Sequence, residues 1–177
     1  LDTPEFRQMN PHGKVPIIKD DGVVVWESHS IMRYLAAQYG KDIFWSDDPA
    51  QRSRVDRWMD WSQTALQPEF VYGVYWCFFR IPEAQHDLPA IQRSLDRCAA
   101  HFQLLDETLA DRQFLVGDTV TLADIPIGTQ LYRYFNLEIE RPHIPHVEAW
   151  YQRLQERPSY QKNVMVPFKD QHGRLEY

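Results

Sequence analysis

A chain of 177 residues has room for one large domain or two small ones, and its 44% hydrophobic and 14% aromatic content is that of a globular protein with much buried ring surface. A formal charge of −6 and a pI near 5.6 argue against general nucleic-acid binding and against a polybasic membrane face. No run approaches the roughly 18 apolar residues that cross a bilayer, and no stretch reads as a signal peptide. Cys77 and Cys98 lack C-x-x-C spacing and read as buried free thiols in a reducing cytosol, so a soluble cytoplasmic protein is expected.

In chain order, Asp2-Thr3-Pro4 starts one or two helical turns over Glu5 to Met9. Two short apolar runs follow, Val15-Pro16-Ile17-Ile18 and Val23-Val24-Val25-Trp26, flanking Lys19-Asp20-Asp21-Gly22. An Asp-Gly pair between β-branched runs signals a hairpin, because Gly supplies the positive φ that such turns need. Pro16 cannot donate to a ladder and marks an edge, bulge or strand start. A cis Val15–Pro16 bond would turn the Val15 N–H and C=O outward, where an extended peptide could pair with them as an added strand. Only about 5–6% of X-Pro bonds in folded proteins are cis, so the residues alone leave the isomer open.

Ser28 opens a helix to about Tyr39, with Ile31, Leu35 and Tyr39 on one face and Gly40 at its end. The Ser28 hydroxyl and the free N–H groups of that helix start suit a carboxylate, and Glu27 beside it suits an ammonium. Both groups on one ligand carbon describe an amino-acid end. The alternative is that Glu27 and Ser28 merely cap the helix.

Residues 41–48 read as a polar linker, and from Pro49 onward no strand pattern returns. A long helix is expected from about Pro49 to Phe79, with Val55, Trp58, Met59, Ser62, Leu66 and Phe70 on one side and a kink at Pro68. Its end, VYGVYWCFF, is aromatic on every side, which fits a buried helix or the wall of a pocket or interface. The next helix, about 89–110, has the seam Ile91, Leu95, Cys98, Phe102, Leu105 and Leu109. In Gly117–Asp124, GDTVTLAD, Thr121 and Asp124 have capping-box spacing, with Val120 and Ile125 as a hydrophobic staple, ahead of a helix from Leu122 to about Asn136. Asp124 is therefore read as structural. His143 and His146 in RPHIPH lack a third ligand and read as turn residues, so no metal is expected. A helix over about 146–157, a short one after Pro158 and an irregular tail complete the chain.

The pattern N-P-x-G-K-V-P, a hairpin, then E-S-x-x-I-x-R-Y-L resembles the glutathione-binding half of a glutathione S-transferase of bacterial, cytosolic type, and GDTVTLAD resembles the capping box of that family's helical domain. The resemblance implies an α/β thioredoxin-like domain, incomplete here, over residues 1–40, a linker over 41–48 and an all-α domain over 49–177. It implies that Val15, preceding a cis-Pro16, pairs with the cysteinyl backbone of glutathione, that Glu27 and Ser28 hold its γ-glutamyl end, and that Lys14 meets its glycyl carboxylate. Arg7 lies where the family borders the glycyl end. Tyr72, Tyr75, Trp76 and Phe79 become candidates for the second-substrate pocket, though core packing suits at least two of them, and Phe168 for its cover.

The family residue that addresses the glutathione sulfur, a Ser, Tyr, Cys or Asn, belongs to a strand-helix-strand unit expected ahead of Leu1, so the catalytic residue is unassigned. The implied activity is conjugation of glutathione, as co-substrate, to small, largely apolar electrophiles in detoxification, by a homodimer. A glutathione-dependent disulfide or peroxide reductase and a non-catalytic interaction module of the kind attached to translation factors are the alternatives.

Overall fold

The computed structural model describes residues 1–41 and 43–175; Asp42 of the expected linker and Glu176 and Tyr177 of the expected irregular tail lie outside the described residues. The chain divides into two compact units, Leu1–Arg54 and Val55–Tyr177.

The first unit holds α1 (Pro4–Met9), β1 (Ile17–Asp20), β2 (Val23–Trp26) and α2 (Ser28–Tyr39). The strands form an antiparallel hairpin in which Ile17 faces Trp26 and Asp20 faces Val23. Its turn has positive φ at Asp21 (45°) and Gly22 (85°), the geometry that matches the twist of a two-residue hairpin. Helix α2 packs on the hairpin, and its Ile31 and Ala36 are buried. At the turn end, the Tyr34 and Tyr39 hydroxyls both donate to Asp20 Oδ2, at 2.9 and 2.6 Å. Of the three residues expected on one face of α2, Ile31 is buried, while Leu35 is 39% and Tyr39 63% exposed.

The division between the units falls inside α3 (Pro49–Trp61), which continues into wider, π-helical turns over Ser62–Leu66 and Pro68–Arg80. Gln67 N–H donates to Ser62 O and Ile81 N–H to Trp76 O, each five residues back. The Pro68 nitrogen has no hydrogen to give. The backbone meets this with wide turns that begin ahead of the proline, and Gln67 keeps right-handed helical geometry (φ −61°, ψ −43°). Helix α4 (Leu88–Leu109) starts at Asp87, whose carboxylate accepts from Ala90 N at 3.0 Å. Five of its six expected seam residues are buried, Leu95 being half-buried. Gly73 lets the wide helix approach α4 closely, since a Cβ there would lie 2.6 Å from Ser94 Cβ.

Helix α5 (Asp124–Asn136) runs through the core, its Tyr134 stacked on Phe102 at 3.7 Å, with Phe70 edge-on to both rings. It begins two residues later than the sequence suggests. Thr121 Oγ1 accepts from Ala123 N at 3.2 Å, and Asp124 N donates to Thr121 O at 3.2 Å, so residues 122–123 form a turn before the helix proper. Asp124 is fully buried, and its carboxylate accepts from Thr121 N (2.8 Å), Thr121 Oγ1 (3.0 Å) and Leu115 N (2.9 Å). Helix α6 (Pro145–Gln155) is capped from α4, where Asp106 Oδ1 accepts from His146 N (2.7 Å) and Val147 N (2.9 Å). Helix α7 (Pro158–Asn163) ties Tyr160 Oη to Gly128 O at 2.7 Å. No helix among the described residues is long and apolar enough to cross a membrane.

Candidate ligand-binding site

In the first unit, Asn10 organises the loop that leads to the hairpin. It is 3% exposed; its side chain accepts from His12 N (3.0 Å) and donates to Lys14 O (2.8 Å), and its carbonyl accepts from Gly13 N (2.9 Å). Gly13 has φ 65° and lies under Arg7, where a Cβ would come within 2.6 Å of Arg7 Cζ. Arg7 donates to Asp2 Oδ1 (2.6 Å) and to Pro11 O (3.2 Å), so this guanidinium braces the loop. Sequence reasoning gave Asn10 no role; an amide five residues before a strand-opening X-Pro is the signal that could have found it.

The Val15–Pro16 bond is cis. Val15 is 64% exposed, and its N–H and C=O make no hydrogen bond with any described residue. The paired register ends with Ile17 facing Trp26, so Pro16 and Glu27 follow directly beyond it on the two strands, with Val15 and Ser28 next in the chain. All four residues thus gather at the open end of the hairpin, away from Asp21-Gly22.

Glu27 joins β2 to α2 with φ 69° and ψ 120°, rare for a residue with a Cβ and worth roughly 1–3 kcal/mol of backbone strain. Its carboxylate makes no cap bond to α2, and its carbonyl accepts from Ile31 N at 2.9 Å. Ser28 is exposed, and its hydroxyl bonds no described residue. The helix start therefore takes no side-chain cap from either residue, which removes the simple capping account. An exposed strand-like backbone edge, a helix N-terminus with a free hydroxyl, a carboxylate and the exposed Lys14 ammonium stand at one hairpin end. Such a set can hold a short peptide with charged ends.

The aromatic candidates lie in the second unit. Tyr72 is 57% exposed, whereas Tyr75 is 3% exposed and donates to Gln171 Oε1 at 2.5 Å. Tyr75 stacks on Phe79 at 5.5 Å, and buried Phe168 stands edge-on to both, 5.8 and 5.2 Å away. Trp76 is half-buried, with Arg80 4.7 Å above its ring. Arg80 is itself buried and donates from Nε to Arg174 O at 2.6 Å, holding the chain after α7 against the wide helix. Tyr75 and Phe79 thus pack beneath that chain, while Tyr72 presents its ring to solvent. His143 and His146 are exposed, and the described residues contain no group of three or more His, Cys, Asp or Glu able to hold a metal ion.

Burial, with a smaller contribution from Glu69, pushes the Cys98 thiol up to about 12. Cys77 is half-buried, with its sulfur 3.0 Å from Tyr72 O. The buried Cys98 thiol is therefore not an activated nucleophile.

Comparison with known proteins places these features in context. The family model described as "Glutathione S-transferase, C-terminal domain" matches residues 70–158, and that described as "Glutathione S-transferase, N-terminal domain" matches residues 1–38. Glutathione S-transferase GstB of Escherichia coli (strain K12) is 40% identical over 165 residues, 92% of this chain and 79% of the relative. The structure of the theta class glutathione S-transferase from Xanthomonas axonopodis pv. citri with glutathione bound superposes with a TM-score of 0.87 at 41% identity, covering 94% of this chain and 79% of that one. Elongation factor 1-gamma 3 of Oryza sativa subsp. japonica is 31% identical over 179 residues, 94% of this chain but 40% of its own length.

Proposed function

Because the chain belongs to the glutathione S-transferase family, we propose that it binds glutathione at the open end of the hairpin and conjugates it to small, largely apolar electrophiles. The observation that supports this most is that Val15, Glu27 and Ser28 lie at one end of the hairpin, with the Val15 backbone and the Glu27 and Ser28 side chains making no hydrogen bond to the described residues.

In this reading the Val15 N–H and C=O pair with the cysteinyl residue, as a short added strand, beside cis-Pro16. The Ser28 hydroxyl and the first N–H groups of α2 take the γ-glutamyl carboxylate, and Glu27 takes the adjoining ammonium. Lys14 pairs with the glycyl carboxylate. These residues orient the tripeptide, and orientation alone is worth several kcal/mol of the barrier. The nucleophile is the glutathione thiolate, and none of the residues assigned here is the group that lowers its pKa. Tyr72, Tyr75, Trp76 and Phe79 form the aromatic wall for the second substrate, Tyr72 supplying the exposed ring and Tyr75 and Phe79 the packed support. The described free thiols and the absence of a membrane-crossing helix among the described residues suit a cytoplasmic detoxification enzyme. The exposed Leu35 and Tyr39 offer apolar surface that a second copy would cover in a homodimer.

The similarity to elongation factor 1-gamma over nearly the whole chain supports a second reading, a non-catalytic interaction module. Retention of the full chain on immobilised glutathione, with release by free glutathione and turnover of an aryl halide, is expected of the transferase. Retention with turnover of a mixed disulfide alone would favour reductase chemistry on the same site. Failure to be retained would overturn both enzymatic readings and favour the module.

A further inference from the structure

The loop between α1 and β1 is held by the Asn10 side chain, which is 3% exposed and uses both ends of its amide. Its Oδ1 accepts from His12 N at 3.0 Å, and its Nδ2 donates to Lys14 O at 2.8 Å. A backbone N–H only donates and a carbonyl only accepts, so the two partners fix which end of the amide is which. The Lys14 carbonyl belongs to the same peptide unit as the Val15 N–H. That unit is trans, the cis bond lying one position later at Val15–Pro16. In a planar trans unit the carbonyl and the N–H point to opposite sides. With its carbonyl held by the buried amide, the unit turns the Val15 N–H the other way. Val15 is 64% exposed, and its N–H donates to no described residue.

We propose that Asn10 is a positioning residue for glutathione, aiming the Val15 N–H at the carbonyl of the cysteinyl residue; this rests on the glutathione reading above. Asn10 is too buried to meet the tripeptide and acts through one peptide plane. The two ends of its amide have separate duties. The acceptor end holds the turn through His12 N, and the donor end sets the rotation of the Lys14–Val15 plane. Without the donor, the Lys14 carbonyl must find another partner, and turning toward water is the route open to it. The Val15 N–H swings off the ligand with it, because the plane moves as one body.

Asn10→Asp keeps the acceptor and removes the donor. Calorimetric titration of glutathione into the full chain and into this variant should show about tenfold weaker binding by the variant at neutral pH. Burial raises the pKa of the introduced carboxyl, and once protonated it can donate to Lys14 O again. The ratio of variant to parent affinity should therefore climb back toward one as pH falls from about 7 to about 5. Taking the ratio cancels the titration of glutathione itself, and a role confined to folding would give no such recovery. A second measurement needs no variant and covers the case in which Asn10→Asp folds poorly. In the isotope-labelled parent, the Val15 amide should exchange rapidly with solvent in the free chain and become protected at saturating glutathione. In the saturated variant that protection should be lost while the Ser28 amide signal still shifts. Equal affinities at neutral pH, a ratio that does not move with pH, or a Val15 amide already protected in the free chain would overturn the role of Asn10 and leave the glutathione reading standing. A parent chain that binds no glutathione at millimolar concentration would overturn that reading, and the role of Asn10 with it.

Discussion

Replacing Asp124 by alanine separates folding from binding in this chain. The carboxylate accepts three hydrogen bonds, two from backbone N–H groups of Leu115 and Thr121 and one from the Thr121 hydroxyl. The hydroxyl can turn to another partner; the two N–H groups cannot. Leaving a buried donor unsatisfied costs about 1–3 kcal/mol, and Leu115 is 1% exposed. Part of that loss is offset, because burial is the largest influence on the Asp124 carboxyl and raises its pKa against the hydrogen bonds that lower it. A net loss of about 2–3 kcal/mol follows. For a chain of this size, about 2–4 °C per kcal/mol gives a fall of about 4–12 °C in melting temperature. The sign of the pH dependence is also set. A carboxyl whose folded pKa lies above its unfolded value contributes most under acidic conditions, and its contribution fades as pH rises through the folded value. The gap between parent and variant should therefore be wider at mildly acidic than at neutral pH. Thermal melts followed by circular dichroism at both conditions, with a glutathione titration of the folded variant, make the assay. A variant as stable as the parent, or one that stays folded and loses glutathione affinity, would refute the structural assignment of Asp124.

Ser28→Ala should weaken glutathione binding about tenfold without shifting the melting temperature, since the hydroxyl bonds nothing in the fold; calorimetry showing equal affinity would misplace the γ-glutamyl end. Native protein treated with iodoacetamide at mildly alkaline pH should be alkylated at Cys77 and spared at Cys98, whose thiol is held up to about 12 by burial. Both should react in denaturant, and peptide mass mapping of a native reaction at Cys98 would contradict the packing of α4. Gly73→Val should destabilise the chain by about 1–3 kcal/mol by forcing the wide helix away from Ser94, read as a lowered denaturation midpoint; an unchanged midpoint would mean the two helices are not closely packed there.

What could be seen in the sequence is what depends on near neighbours. Asp21-Gly22 between β-branched runs specified the hairpin, because the positive φ of its turn is a local demand. The α4 seam follows helical geometry, so its spacing alone identified five residues that are buried. Thr121 and Asp124 were visible as a cap because the pair is three residues apart. The third bond of Asp124, from Leu115 N–H, was hidden, since it depends on how the Phe114–Gly117 turn folds back. Distance in the chain likewise concealed the Asp106 cap of α6 and the Tyr75–Gln171 bond beneath Phe168.

The α2 face shows a different limit. Periodicity placed Ile31, Leu35 and Tyr39 together, but it could not tell that Ile31 is buried, that Leu35 is exposed and that Tyr39 reaches Asp20 with its hydroxyl. The wide turns after Trp61 have no spacing signature in the residues, apart from Pro68, which told that an ordinary helix would be disturbed and not how. At the proposed ligand site the sequence offered residue types and not their geometry. The positive φ of Glu27 and the Asn10 brace under Lys14 emerge only from the folded backbone.

The central claim is that the open hairpin end receives glutathione, and an amide-resolved NMR titration tests it most directly. Adding glutathione to the full, isotope-labelled chain should shift the amide signals of Val15, Glu27, Ser28 and His29 in one saturable process, with the Asp20–Gly22 turn little affected. Saturable shifts confined to other parts of the chain, or none at millimolar glutathione, would contradict the account.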